Sequence, residues 1–372
     1  MTPKIFGVNY GNRFIPEKWM TPDFFDSETD DIFGADICLA DISNFQTRML
    51  EWLDKTITMV DFACLARRGV NVLRVPCGYW NWVTYPGNTT PNCAFGDEDR
   101  LRNLQSLPPE LYEPYFDKIF KYAKQFHLKI LLDLHGLPGS QNGKAHSGVA
   151  TDSPVLETDW NMGKSIEAVV CMARYCQNKT DSLYGIQIIN EAENISHAWL
   201  DAYYKNAILA IRPFISSHIP IVVFSWTYEF HTWESSHFSY DLYGNIVWDT
   251  HIYHNDKDHD KFDTLEDVKQ NYVEDLVKLH DFHKRQDGGI MVGEWSLSGP
   301  AFDRRTTQEL ATWLVYQFTE HSHGSIFWNM DNTSNATWSF FKAQREFRIS
   351  WKKIFTCVNM YIKNYETFQA IK

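Results

Sequence analysis

Glu191 and Glu294 are the acids to start from, because each closes a short apolar run, Ile188-Ile189-Asn190-Glu191 and Val292-Gly293-Glu294-Trp295. Four further runs end in groups that hydrogen-bond, carry charge or present a flat ring: Leu73-Arg74-Val75-Pro76, Asp133-Leu134-His135-Gly136, Thr250-His251-Ile252-Tyr253 and Phe327-Trp328. Any one of these could be a satisfied core residue. Six such run ends are not explained by packing, because buried polar groups cost free energy unless they are paired. Two carboxylates held about 5–5.5 Å apart are what retaining glycosidic cleavage requires: one attacks the anomeric carbon, while the other protonates the leaving oxygen and then activates water. Their surroundings must keep one ionised and the other protonated. Arg74 could hold the attacking carboxylate ionised through charge-assisted hydrogen bonds, and donors such as His251 and Tyr253 could orient it. Asn190 suits a sugar 2-hydroxyl, and Trp328 offers a flat floor for the ring. Residue types alone leave open which acid attacks.

Something must bring these ends to one place. The apolar runs Ile5–Asn9, Val70–Pro76, Lys129–Leu134, Tyr184–Asn190, Ile219–Phe224, Ile246–His251, Gly289–Glu294 and Gly324–Trp328 predict eight strands, several apolar throughout, as strands covered on both faces should be. Helical patterns lie between most of them: Leu53–Arg68, Pro109–Phe126, Met162–Cys176, Ala198–Ile215, Leu265–His283 and Thr306–His321, with Ile349–Tyr365 after the last. Strand and helix in alternation imply an α/β fold with a parallel sheet, and closing eight such units gives a single (β/α)8 TIM barrel over residues 1–372. An open doubly wound sheet would want a glycine-rich phosphate turn after the first strand, and Gly7-Val8-Asn9-Tyr10-Gly11 is not one. The irregular stretches Asp23–Asn44 and Asn81–Leu107 read as elaborated loops on the strand C-terminal side, where barrel enzymes build their sites.

The balance of 47 acidic against 35 basic residues, a net charge of −12, disfavours nucleic acid and anionic membranes as partners. No apolar run reaches the ~20 residues that span a bilayer. The 14 Trp, 18 Tyr and 25 Phe suit either a large aromatic core or the stacking of sugars on indole faces. Seven cysteines match no disulfide scaffold or zinc spacing. With a strand starting at Ile5 there is no room for a leader, so the cytoplasm is favoured unless a leader has been removed; five N-x-[ST] sequons lean the other way. A monomer is expected.

The chain resembles glycoside hydrolase family 5, and within it the fungal exo-β-1,3-glucanase, β-glucosidase and rutinosidase branch. The resemblance runs from Gly7-Val8-Asn9-Tyr10-Gly11 to Trp338-Ser339-Phe340. Asn190-Glu191 matches the family's acid/base motif and Gly293-Glu294-Trp295-Ser296 its nucleophile motif. Arg74, His135, His251, Tyr253 and Trp328 fill the remaining family positions, and Leu134–Gly143 carries the branch signature. Glu17, in Pro16-Glu17-Lys18-Trp19, resembles a glutamate that contacts glucose in the pocket for the non-reducing end. The resemblance therefore implies Glu191 as acid/base, Glu294 as nucleophile, no cofactor or metal, and a carbohydrate substrate: β-1,3-glucan ends, oligosaccharides or small β-glucosides.

Three departures bear on which substrate. Lys144-Ala145-His146 stands where the branch has an aromatic followed by Asp-Asn, Ala192 follows Glu191 in place of Pro, and Gly11-Asn12-Arg13 replaces Gly-Gly-Trp. Loss of polar contacts near the sugar's far hydroxyls could make room for a 6-O-substituted glucose, so a 6-O-rhamnosyl-β-glucosidase is the alternative. A carbohydrate-binding chain without activity would have lost a catalytic glutamate, and both are present. Asp133 reads as a partner of Arg74 or a buried core acid. Tyr79, Trp80, Trp82 and Tyr85, and likewise Trp226, Tyr228 and Trp233, are either cleft residues or loop packing; Glu229 and Glu234 read as solvated. His251, His254 and His259 do not stand at metal-ligand spacing.

Overall fold

The computed structural model describes residues 4–25, 42–83, 108–233, 238–253, 264–332 and 335–371. Its eight strands are β1 (Ile5–Asn9), β2 (Val72–Gly78), β3 (Lys129–Gly136), β4 (Leu183–Gln187), β5 (Ile221–Phe224), β6 (Ile246–His251), β7 (Ile290–Trp295) and β8 (Gly324–Phe327). They pair in chain order, all parallel, and β8 closes on β1 with Gly324 opposite Ile5. The expected TIM barrel is what forms. Closure leaves no unpaired strand edge, and right-handed crossovers place the helices outside.

Each helix turns one stripe to the strands. Glu113–Phe126 buries Tyr115, Phe116, Ile119, Phe120 and Ala123, a 3.6-residue repeat. Thr158, Ser196, Thr264 and Asp303 cap four helices by accepting the backbone N–H three residues on. The helix read as Leu53–Arg68 is two, Ile42–Thr56 and Met59–Arg67. Thr58 is the reason: it adopts an extended conformation and accepts from Asp61 N, starting the second helix afresh. Part of each expected long loop, residues 26–41 and 84–107, lies outside the described residues, as do Tyr85, Glu234, His254 and His259.

Inside the barrel, Ile5, Val72, Leu131, Val222, Val247, Met291 and Ile326 form one apolar layer with Tyr184 against it, one side chain from each strand. Successive inward residues lie two apart along a strand. Two steps above this floor come Arg74, Asp133 and Asp249, all fully buried; two more bring His135 and His251. Strand β7 breaks the rhythm. Its register shifts between Val292 and Trp295, and both Gly293 and Glu294 face inward there. Gly293 has no room for a side chain, since a Cβ would lie 2.2 Å from an Asp249 carboxylate oxygen.

Candidate active site

The polar layer meets at Arg74. Its Nη1 donates to Glu294 Oε1 at 2.7 Å and to Asn9 Oδ1 at 2.9 Å, its Nη2 to Asn190 Oδ1 at 2.6 Å, and its Nε to Gln187 Oε1 at 2.8 Å. Asp133 Oδ2 lies 3.0 Å from Nη2, which makes Asp133 the guanidinium's partner. A buried cation is tolerated only when its donors are matched in this way. Burial pushes the Asp133 carboxyl up to about 7 even with Arg74 pulling it down.

Glu294, on β7, accepts from Arg74 on one oxygen and from the Tyr253 hydroxyl, at 2.8 Å, on the other. Burial, with Glu294 and Glu191 nearby, holds the Tyr253 phenol well above its ordinary value, so it stays a donor. Glu191 lies past the end of β4 with φ of 42°, a left-handed conformation that costs an ordinary residue about 1 kcal/mol or more and is typical of functional sites. Its Oε1 is 2.6 Å from His251 Nδ1 and its Oε2 3.1 Å from His146 Nε2. Glu191, His251 and Glu294 each bring an oxygen or ring nitrogen within 4.8 Å of the others. Both acids are almost fully buried. Burial pushes the Glu191 carboxyl up, but the hydrogen bonds from His146 and His251 outweigh it and hold the group well below the usual carboxylate range. Burial works against charge on His251 too, yet Glu294 and Asp249 carry it up to about 10.

His135 is the opposite case. Burial, with Arg74 adding to it, holds the ring well below its ordinary value, so it is neutral. Its Nδ1 is 2.8 Å from Asp133 Oδ2 and therefore carries the proton, which leaves Nε2 as an acceptor near Asn190 Nδ2, 3.4 Å away. The His135 ring is stacked on Trp328, centroids 5.7 Å apart and planes within 10°. Trp328 in turn lies over Gly11, where a Cβ would come within 2.9 Å of the indole.

These groups open into a pocket of about 580 Å³, which Glu17, His135, Glu191, His251, Tyr253, Glu294 and Trp328 all line. Arg74 and Asn190 do not reach it; they are fully buried beneath the two acids. Trp19 Nε1 donates to Glu17 Oε2 at 2.8 Å, and burial raises the Glu17 carboxyl to about 7. Tyr79, Trp80 and Trp82 are buried packing, and so is Trp233. Trp226 lines the pocket, with the exposed Tyr228 stacked against it, centroids 6.1 Å apart. Glu229 is half-buried, and burial raises its carboxyl.

Sequence reasoning missed the layer below the acids. Gln187 bridges Arg74 to Asp249, donating to Asp249 Oδ2 at 2.8 Å, and Asn9 donates to Gly293 O at 2.9 Å. Asp249 stands two residues before His251, the same spacing that joins Asp133 to His135, and that spacing was the available clue. Trp338 also lines the mouth, its ring 5.3 Å from Tyr253 and 5.5 Å from Trp19. Among the described residues no helix is long and apolar enough to cross a membrane.

The chain is similar to several known proteins. Over 308 residues the chain is 29% identical to glucan 1,3-beta-glucosidase 1 of Schizosaccharomyces pombe, covering 79% of this chain and 68% of that one. Over 371 residues it is 27% identical to a probable glucan 1,3-beta-glucosidase A of Aspergillus fumigatus, covering 91% and 78%. In fold it is similar to the crystal structure of a rutinosidase from Aspergillus niger, with a TM-score of 0.73 and 19% identity over 96% of this chain and 98% of that one. Residues 30–334 match the model of the cellulase family, glycosyl hydrolase family 5, and with most of its length so matched the chain belongs to that family of glycoside hydrolases.

Proposed function

We propose that this glycoside hydrolase is a retaining, exo-acting β-glycosidase that cleaves β-glucosidic bonds in β-1,3-glucan ends, oligosaccharides or small β-glucosides. One observation carries the reading: two buried acids at one barrel mouth, with an oxygen of each within 4.8 Å of the other and wholly different partners. Oxygens no more than 4.8 Å apart suit direct attack by one carboxylate and leave no space for the water an inverting enzyme places between its acids. Glu294, fixed on both oxygens by Arg74 and Tyr253, is the nucleophile. Glu191, set between two imidazoles, is the proton donor and then the base. His135 and Trp328 bind the sugar, and Glu17 binds it at the far side of the pocket. Asn190, held by Arg74, positions Glu191 from below. No cofactor enters, and the working unit is a single barrel, residues 1–372, acting as a monomer.

Proton NMR of the first product tests the mechanism: the β-anomer is expected before mutarotation, and initial release of the α-anomer would overturn it. A second reading, 6-O-rhamnosyl-β-glucosidase, draws on the Lys144–Glu193 ion pair (2.6 Å) at the pocket rim, where the fungal branch has an aromatic. Rates on an aryl β-glucoside, its 6-O-rhamnosyl counterpart and laminaribiose separate the two. Preference for the plain glucoside and laminaribiose supports the first reading, and preference for the rhamnosylated substrate supports the second.

A further inference from the structure

His146 sits on the segment after β3, in the stretch where the chain departs from its branch, and its Nε2 is 3.1 Å from Glu191 Oε2. A second group faces the same nitrogen. Asn142 Nδ2 lies 2.8 Å from His146 Nε2, and the amide cannot simply turn over: its Oδ1 accepts from Lys144 N at 3.0 Å, while its Nδ2 also donates to Glu191 O at 3.1 Å. Against the amide N–H, Nε2 has to be an acceptor, which requires a neutral ring. Against an ionised Glu191 it has to be a donor, which requires a protonated one. A single proton therefore decides between two arrangements, His146⁺ with Glu191⁻, which the neighbouring acids and imidazoles favour at rest, or neutral His146 with protonated Glu191.

We propose that His146 is a positioning residue that holds the acid's proton in reserve and returns it to Glu191 across this contact. The inference rests on the acid/base role of Glu191. In the return step the Nε2–H bond breaks, an Oε2–H bond forms, and the electron pair left on Nε2 accepts the Asn142 N–H. Glu191 then delivers that proton to the glycosidic oxygen as the C1–O bond breaks and Glu294 bonds to C1. In the second half, Glu191 takes a proton from the attacking water, and the pair is restored. His251 cannot serve the same purpose, because Glu294 and Asp249 keep it charged. Burial opposes the charged form of His146, while the acids facing it, Glu191, Glu17 and Glu294, favour it; His135, its ring centroid 5.5 Å away, is neutral.

A shared proton is lost at a pH that belongs to the pair, above the ordinary histidine value of about 6.5. Without His146 it is lost at the lower pH of Glu191 alone. The experiment is the pH dependence of kcat/KM for wild type, His146→Gln and His146→Leu on phenyl β-glucoside, which needs the acid, and on 2,4-dinitrophenyl β-glucoside, which does not. Both variants are expected to move the high-pH limb on the phenyl substrate down by about one unit or more, a roughly tenfold loss per unit above it, with rates below pH 5 retained. The dinitrophenyl profile is expected to stay within about twofold, so a merely structural role is distinguished by its equal effect on both substrates. Limbs that superimpose with wild type, or shift alike on both substrates, overturn the proposal; His146→Leu decides if His146→Gln does not fold. Glu191→Ala with added azide separates this from the underlying reading. Loss of phenyl-glucoside turnover, with the dinitrophenyl substrate still cleaved and its glucosyl group diverted to β-glucosyl azide, upholds Glu191 whatever His146 does, whereas full turnover in Glu191→Ala removes both.

Discussion

At the N-terminal end of the barrel each strand contributes one side chain to the interior, and the layer they make is almost wholly apolar: Ile5, Val72, Leu131, Tyr184, Val222, Val247, Met291 and Ile326. At the other end, two to four residues further along the same strands, the interior holds Arg74, Asp133, Asp249, His251 and Glu294, all buried and all tied to one another. The floor needs only to fill space, and dispersion and burial reward it. The mouth carries charges whose desolvation is offset only by partners. Damage at the two ends should therefore be read on different instruments, activity at the mouth and stability at the floor.

The largest expected effect is at Glu294. Glu294→Gln keeps the size of the group and leaves Arg74 an acceptor, so folding should survive, while loss of the nucleophile lowers kcat by roughly three orders of magnitude or more. Near-normal turnover would remove the nucleophile assignment. Arg74→Met comes next and hurts both ways. It strips a donor from Glu294 and leaves Asp133 and Asn190 facing a methylene chain, with an expected cost of about 3 kcal/mol of unfolding free energy by denaturant titration. Full stability with lost activity would show that Asp133 takes up a proton and relaxes, which its raised carboxyl value of about 7 makes the natural escape.

Val247→Ala tests the other end. Removing two methyls from the floor should cost about 1–2 kcal/mol and leave kcat/KM within about twofold of wild type. A large loss of activity with unchanged stability would mean that the floor sets the geometry of the mouth.

The barrel itself was legible because apolar runs and amphipathic spacing are local properties. Seven of the eight predicted strands stop within two residues of the observed end. The exception is β4, which stops at Gln187 and so leaves Asn190 and Glu191 on the turn beyond it. The two acids were legible because strand ends at one face of a closed barrel must converge. Gln187, Asp249 and Asn9 were not, since each reads as an ordinary polar residue inside an apolar run until closure brings it to Arg74. The inward turn of Glu294 was hidden for a related reason. Alternation from Met291 predicts Gly293 and Trp295 inside, and only the register shift in β7 places Glu294 there.

The smallest effect expected on activity lies under the floor, where the change is one of stability with pH. His283 Nδ1 accepts the N–H of Ile290, the first residue of β7, at 3.1 Å, so the ring must be unprotonated there. Burial, with His323, Lys4, His280 and His321 adding positive charge, lowers its value from 6.5 to about 4. The unfolded chain takes up this proton near 6.5 and the folded chain only near 4. His283 therefore contributes its full stabilisation above pH 6.5 and loses it progressively as the pH falls towards 4. The whole shift corresponds to at most about 3 kcal/mol, less for the part of the ring that water reaches. His283→Gln should thus have a melting temperature that falls less steeply between pH 6.5 and 4 than that of wild type, with kcat at pH 7 unchanged. Parallel curves would show that the acid sensitivity of the fold belongs to the charged mouth instead.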